Sequence, residues 1–271
     1  MSAAPPDDAA WSAAARAALV RVDARLARRY DDGHPADRLI RLRARAVDAQ
    51  VRAAWQRCLP ADVPLALFAV GGYGRGELFP HSDIDLLVLA ETTAQRRFES
   101  ALARFVALLW DAGLEASHAV RSPQQCSEAA ADLSVLTALM EARPLVVDAA
   151  AEAALQEAIA PARVWPPQAY FEAKREEQRQ RHARFGDTSD NLEPNLKDGP
   201  GGLRDLHVLG WLALRSFGVH ALDRLIELGR LGWDEAAALE RERRVLCRLR
   251  YGLHLVAGRR EERLRFDYQK D

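Results

Sequence analysis

The sequence predicts an α+β (mixed α/β) chain in which a small sheet with flanking helices is followed by a helical domain. Three observations carry that expectation. Two short, unbroken apolar runs, LALFAV (65–70) and IDLLVLA (84–90), have the length and character of strands covered on both faces. Before Cys58, apolar residues recur at helical spacing (Leu19, Val22, Leu26, then Leu39, Leu42, Ala46, Ala49). After Ser122-Pro123 nearly everything keeps that helical spacing.

Taken in order, residues 1–8 read as a tail, and residues 9–58 as two helices broken by Asp31, Asp32, Gly33 and Pro35. Residues 1–58 are therefore expected to form an N-terminal helical segment and residues 59–125 the α/β core. Within the core, glycines and GRGEL between the two apolar runs suffice for a turn and one short helix. Thr92 and Thr93 are expected to cap a helix that continues to Ala112 and stops at Gly113. LEASHAV (114–120) is a weaker candidate for a third strand. Residues 126–271 form the expected helical domain, interrupted at 187–202, where DTSDNLEPNLKDGPGG collects turn formers and two prolines. Helices resume at 203–217, 221–228 and 234–257.

Composition narrows the function classes. With 271 residues, 49% hydrophobic and 28% charged, the chain has enough apolar material for a core, which excludes disorder over its whole length. A net charge of −1 gives no argument for a nucleic-acid or membrane partner. No apolar run approaches the roughly 18–20 residues of a membrane span. The N-terminus lacks the pattern of a secretory signal, and three scattered cysteines suit neither a disulfide framework nor a zinc site. A cytoplasmic location is the expectation. The basic residues are lopsided: only Lys174, Lys197 and Lys270 are lysines among 38.

The chemistry concentrates in VGGYGRGELFPHSDIDLLVL (70–89). Asp83 and Asp85 stand two apart at the start of a strand, so their carboxylates project to the same side while Ile84 and Leu86 enter the core. Two such carboxylates repel unless a cation shares them. Hard oxygen ligands beside a phosphate favour Mg²⁺, which retains waters and bridges carboxylates to phosphate oxygens. Gly71 and Gly72 let backbone N–H groups approach a phosphate closely, Arg75 offers a fork of donors, and Ser82 a hydroxyl. A second segment, NLEPNLKDGPGGLRDLH (191–207), reads as a rigid polar loop carrying Lys197 and Arg204. Both are candidates for closing over a nucleotide or polypeptide. As an interdomain connector alone, the loop would leave the placement of one of three lysines unexplained.

The order strand, Gly-Gly, ten residues, Asp-Ile-Asp, strand resembles the nucleotidyltransferase superfamily of DNA polymerase beta and the CCA-adding enzymes. That resemblance implies a small polymerase-beta-like sheet and metal-dependent transfer of a nucleoside monophosphate to a hydroxyl, releasing pyrophosphate. Many members carry a third carboxylate on a later strand. The matching stretch here offers only Glu115, a candidate third metal ligand, while His118 nearby reads as a packed core histidine. GGYGRGELFPHSDIDLLVL, NLEPNLKDGPGGLRDLH and GRREERLRFDYQ (258–269) together resemble the bacterial uridylyltransferase/uridylyl-removing enzymes that act on the nitrogen signal protein PII. The resemblance covers roughly residues 60–270, and Asp198 stands where many relatives carry Glu.

The resemblance implies transfer of UMP from UTP to a tyrosine hydroxyl of PII, with Asp83 and Asp85 on Mg²⁺ and Gly71, Gly72, Arg75 and Ser82 on the triphosphate. An HD-type phosphohydrolase domain and two ACT domains, the family's sites for uridylyl removal and glutamine sensing, are expected to be absent from this chain. Two alternatives stay open: a nucleotidyltransferase acting on another protein or a small-molecule hydroxyl, and a nucleotide- or partner-binding fragment with negligible turnover.

Overall fold

The computed structural model of the protein describes residues 7–219 and 222–270. Residues 1–6 of the expected tail lie outside that range. Asp7 caps the first helix by accepting from the Ala10 N–H, so α1 (Asp8–Asp31) begins inside the expected tail. After the break at Asp32–Pro35 comes α2 (Ala36–Cys58). The core follows as β1 (Ala66–Val70), a single helical turn α3 (Gly71–Gly74), β2 (Ile84–Leu89), α4 (Thr92–Arg97), α5 (Glu99–Asp111) and β3 (Ala116–Arg121). Then come α6 (Pro123–Ala129), α7 (Leu133–Met140), β4 (Arg143–Val146), α8 (Ala149–Ala158) and α9 (Pro167–Ala183). After the polar loop, α10 (Leu203–Phe217), α11 (Leu222–Glu227) and α12 (Trp233–Ala257) complete the order.

Two expectations are corrected. The helix expected over 92–112 is two helices, because Phe98 leaves helical geometry and packs its ring against the core. Its cap position is Glu91, without a side-chain bond, rather than Thr92 or Thr93. The segment after 125 is not helical throughout: RPLV forms β4 and joins the sheet, which therefore draws on residues past the expected end of the core. Four residues are too few to show a period. Pro144, which has no N–H to give to a ladder, is tolerated because β4 lies at the sheet edge.

The sheet order is β3-β2-β1-β4, with β1 antiparallel to β2 and β4, and β2 parallel to β3. Every residue of β1, and all of β2 except Asp85, is buried. The reason is that helices cover both faces. On one face Leu67, Ala69, Leu86 and Val88 pack with Val47, Val51 and Trp55 of α2 and Phe105 of α5. The N-terminal helices thus roof the sheet. On the other face Phe68, Leu87 and Leu89 meet Leu136 and Leu139 of α7, Leu155 of α8, Tyr170 of α9 and Trp211 of α10. A third cluster joins α1 and α2 to α12 through Leu26, Leu39, Ile40, Cys247 and Tyr251.

The turn after β1 is held against β4 so closely that no side chain fits at Gly74. A Cβ there would fall inside van der Waals contact with the Glu141 carbonyl oxygen and 3.0 Å from that of Ala69. Both obstacles are backbone. Gly74→Ala is therefore expected to destabilise the fold by about 3 kcal/mol or more, read as a lowered urea midpoint.

Beyond α12, which ends at Gly258 in the left-handed region (φ 63°), the chain runs back along the polar loop. Leu196 N–H donates to the Glu262 carbonyl at 2.8 Å, and Leu264 N–H to the Pro194 carbonyl at 2.9 Å. Asn195 and Arg263 pair as an isolated bridge. This clasp holds the polar loop and the segment after α12 together beside the aspartates at the start of β2.

Candidate functional site

At the start of β2 a cavity of about 220 Å³ opens, and Gly71, Gly72, Arg75, Ser82, Asp83, Asp85, Lys197 and Arg204 all line it. These are the sequence-derived candidates, apart from Glu115, drawn from stretches more than a hundred residues apart. A larger hollow of about 890 Å³ lies behind them, between β4, α10 and α12, and contains neither aspartate.

The two aspartates are held differently. Asp85 stands opposite Ser117 in the β2–β3 register, and the Ser117 hydroxyl donates to its Oδ1 at 2.5 Å. Gly71, at φ +58°, leaves room for its other oxygen, since a Cβ there would lie 3.0 Å from Asp85 Oδ2. The absent side chain at Gly71 thus makes space for the carboxylate as well as for a phosphate. Asp83 is half exposed and accepts from Arg260 Nη1 at 2.9 Å.

Glu115 does not join them. It is exposed, does not line the cavity, and contributes its backbone carbonyl to the Ile84 N–H. On β3 the residue beside Asp85 is Ser117, a hydroxyl rather than a carboxylate. Among the described residues no three His, Cys, Asp or Glu side chains cluster as a metal site. The carboxylates in the cavity that could hold a hard cation are Asp83 and Asp85. His118, expected in the core, is exposed, because β3 is an edge strand.

Arg75 is also placed otherwise than its expected role implies. Its Nε donates to Glu77 at 2.9 Å and its Nη1 to Glu141 at 2.5 Å. Burial opposes its charge, but Glu141 and Glu77 outweigh that and hold the guanidinium pKa above its ordinary value. Burial likewise opposes the Glu77 carboxylate, and Arg75 with His207 pulls it well below the usual range. Trp211 Nε1 donates to Glu141. Arg75 is thus the hub of a buried charged cluster forming one wall of the cavity, with only Nη2 turned toward Gly72.

His207, in the same cluster, lies 3.2 Å from Glu77 through Nε2 and is 10% exposed. Burial and the nearby Arg75 charge push its pKa from 6.5 down to about 4. A histidine whose folded pKa lies below its unfolded value takes up protons more readily when unfolded. Its contribution is therefore complete above about 6.5 and is lost as pH falls toward 4. The expected loss is about 3 kcal/mol at most. Urea unfolding between pH 7.5 and 4.5 should show this slope in the native protein and a flatter one in His207→Gln.

Lys197 differs from the arginines around it. It lines the cavity yet forms no ion pair with any described residue, and burial, then the Arg250 charge, hold its pKa below the ordinary lysine value. An arriving anion would offset that effect and favour the charged ammonium. Arg204 is tied to Asp198 at 3.2 Å and lies over the Trp211 ring. The sequence reading missed Ser117, Ser134, Thr137, Glu141, Trp211, Arg250 and Arg260, the last six of which line the cavity. Only Arg260 fell within a segment already singled out, GRREERLRFDYQ. The others sit in helical stretches or a strand without a distinguishing local pattern.

Residues 169–271 match the family model described as GlnD PII-uridylyltransferase, and residues 21–129 that of the nucleotidyltransferase family DUF294. The chain is 69% identical over 263 residues to a bifunctional uridylyltransferase/uridylyl-removing enzyme of Xanthomonas campestris pv. campestris (strain B100), covering 97% of this chain and 30% of that protein. A namesake from Pseudomonas aeruginosa (strain PAO1) is 46% identical over 244 residues, 89% of this chain and 27% of that protein. The chain thus spans about 30% of the length of the curated relatives it matches. The nucleotidyltransferase match spans the aspartate-bearing core and the uridylyltransferase match the helices that close it, so over 97% of its length the chain is similar to the bifunctional uridylyltransferase/uridylyl-removing enzyme family.

Proposed function

We propose that this chain carries the transferase chemistry of that family, moving UMP from UTP to a tyrosine hydroxyl of PII with release of pyrophosphate. The observation that supports it most is the convergence on one cavity of Asp83, Asp85, the Gly71-Gly72 turn and Lys197, which has no ion-pair partner among the described residues. Asp83 and Asp85 would hold Mg²⁺, which when bound stabilises charge on the transferring and leaving phosphates. Lys197 and Arg204 would bind phosphate oxygens, Lys197 as a point charge and Arg204 through its fork. Ser82 adds a hydroxyl at the rim, and Ser117 fixes the rotamer of Asp85.

At about 220 Å³ the cavity is smaller than the roughly 300–1,000 Å³ usual for nucleotide-sized ligands. An adjoining hollow of about 380 Å³ shares Ser134, Thr137, Arg204 and Trp211 with it and offers room for the nucleoside. No described helix is long and apolar enough to cross a membrane. The test is transfer of label from α-³²P-UTP to purified PII. Mg²⁺-dependent labelling abolished by Asp83→Ala supports the reading. Labelling undiminished by that change, or none with PII while another acceptor is labelled, overturns it in favour of a different site or acceptor.

A further inference from the structure

Among the cavity's guanidinium groups, one has a partner that the reaction itself would need. Arg75 is held by Glu77 and Glu141, Arg250 by both oxygens of Glu262, and Arg204 by Asp198. Arg260 instead donates to Oδ2 of Asp83, one of the two carboxylates expected to bind the cation.

The backbone carrying Arg260 is anchored on both sides. Gly258 closes α12, while Glu262 is fixed by Arg250 and by the Leu196 N–H. The side chain itself is 46% exposed, and its other acidic neighbour, Glu262 Oε1, is 3.7 Å from Nε. A guanidinium on a firm base with a solvated head can change partners at little cost in backbone order.

We propose that Arg260 is a substrate-binding residue with two alternating partners: it neutralises Asp83 in the empty site and turns to the triphosphate when the carboxylates take up their cation. The proposal rests on the nucleotidyltransferase reading above. The physical argument is one of charge. Asp83 and Asp85 line the same cavity, and without a metal the Arg260 guanidinium bonded to Asp83 offsets part of the repulsion between the two carboxylates. A divalent ion on the same oxygens would repel the guanidinium. The triphosphate that accompanies the ion supplies anionic oxygens in the same cavity, where a charge-assisted hydrogen bond replaces the one released. Arg260 thereby favours metal and nucleotide arriving together over metal arriving alone.

The arrangement predicts effects of opposite sign from one substitution. In the full chain without nucleotide, Arg260→Gln should tighten Mn²⁺ binding, followed by the electron paramagnetic resonance of free Mn²⁺, by roughly threefold to fivefold. With Mn²⁺ at saturating concentration, the same variant should weaken binding of inorganic tripolyphosphate, measured by calorimetry, by about tenfold. Arg260→Lys should fall between Arg260→Gln and the native protein in both assays. Unchanged Mn²⁺ affinity in Arg260→Gln, or both affinities weakened together, overturns the proposal. Asp83→Asn separates the two levels. If it abolishes Mn²⁺ binding while Arg260→Gln has no effect, only the exchange of partners fails. If Mn²⁺ binding ignores Asp83→Asn, the metal-site reading fails with it.

Discussion

Asp85→Asn is expected to lower uridylyl transfer by roughly a thousandfold or more while leaving the fold intact. A bound cation supplies several kcal/mol of transition-state charge stabilisation, and about 4 kcal/mol corresponds to a thousandfold in rate. Asparagine has the shape of aspartate and still accepts from the Ser117 hydroxyl on one side. The helical turn at Gly71 is undisturbed, so the circular dichroism spectrum and urea midpoint should stay near those of the native protein. The loss should fall on kcat, because the missing charge acts most strongly where charge develops. A variant that retains a tenth of the native kcat would place the essential carboxylates elsewhere.

Arg75→Leu is expected to do the reverse, acting on stability before it acts on chemistry. Its two carboxylate partners are largely buried, with Glu77 16% and Glu141 6% exposed at the side chain. Removing the cation leaves Glu141 only the Trp211 N–H and Glu77 only His207 and the more distant Arg243, and breaking a buried pair from one side typically costs about 3–5 kcal/mol. Chemical denaturation should register that loss at neutral pH. Part of it should return as pH falls and the two carboxylates are protonated. Lys197→Ala supplies the contrast: with no ion pair among described residues to break, it should leave the urea midpoint nearly unchanged and raise KM for the nucleotide about tenfold. If Arg75→Leu proved as stable as the native protein and only KM rose, Arg75 would be a phosphate ligand after all.

The contrast between those two basic residues indicates what local sequence can reveal. Gly71, Gly72, Asp83 and Asp85 were legible because strand alternation and a Gly-Gly turn place them by rules that operate over a few residues. The polar loop was legible because two prolines and a glycine run cannot be a helix. Arg75 looked like a free donor because nothing near it in sequence announces Glu141, which arrives from the turn before β4 66 residues later. Glu115 failed for a related reason: the β2–β3 register, a tertiary property, puts Ser117 and not Glu115 beside Asp85. β4 itself was missed because four residues carry no period, and its pairing with β1 is what makes them a strand.

The sequence alone determined the mixed architecture, the carboxylate pair and the family resemblance, since each is written in short-range periodicity or in contiguous motifs. Only the tertiary structure decided which charged groups are spent on one another and which are left for a ligand. Burial and pairing across distant segments neutralise Arg75, lower His207 and tie Arg260 to Asp83, while Lys197 keeps no described partner. Charge compensation in a low-dielectric interior is a property of three-dimensional neighbours, and a chain read one residue at a time does not contain it.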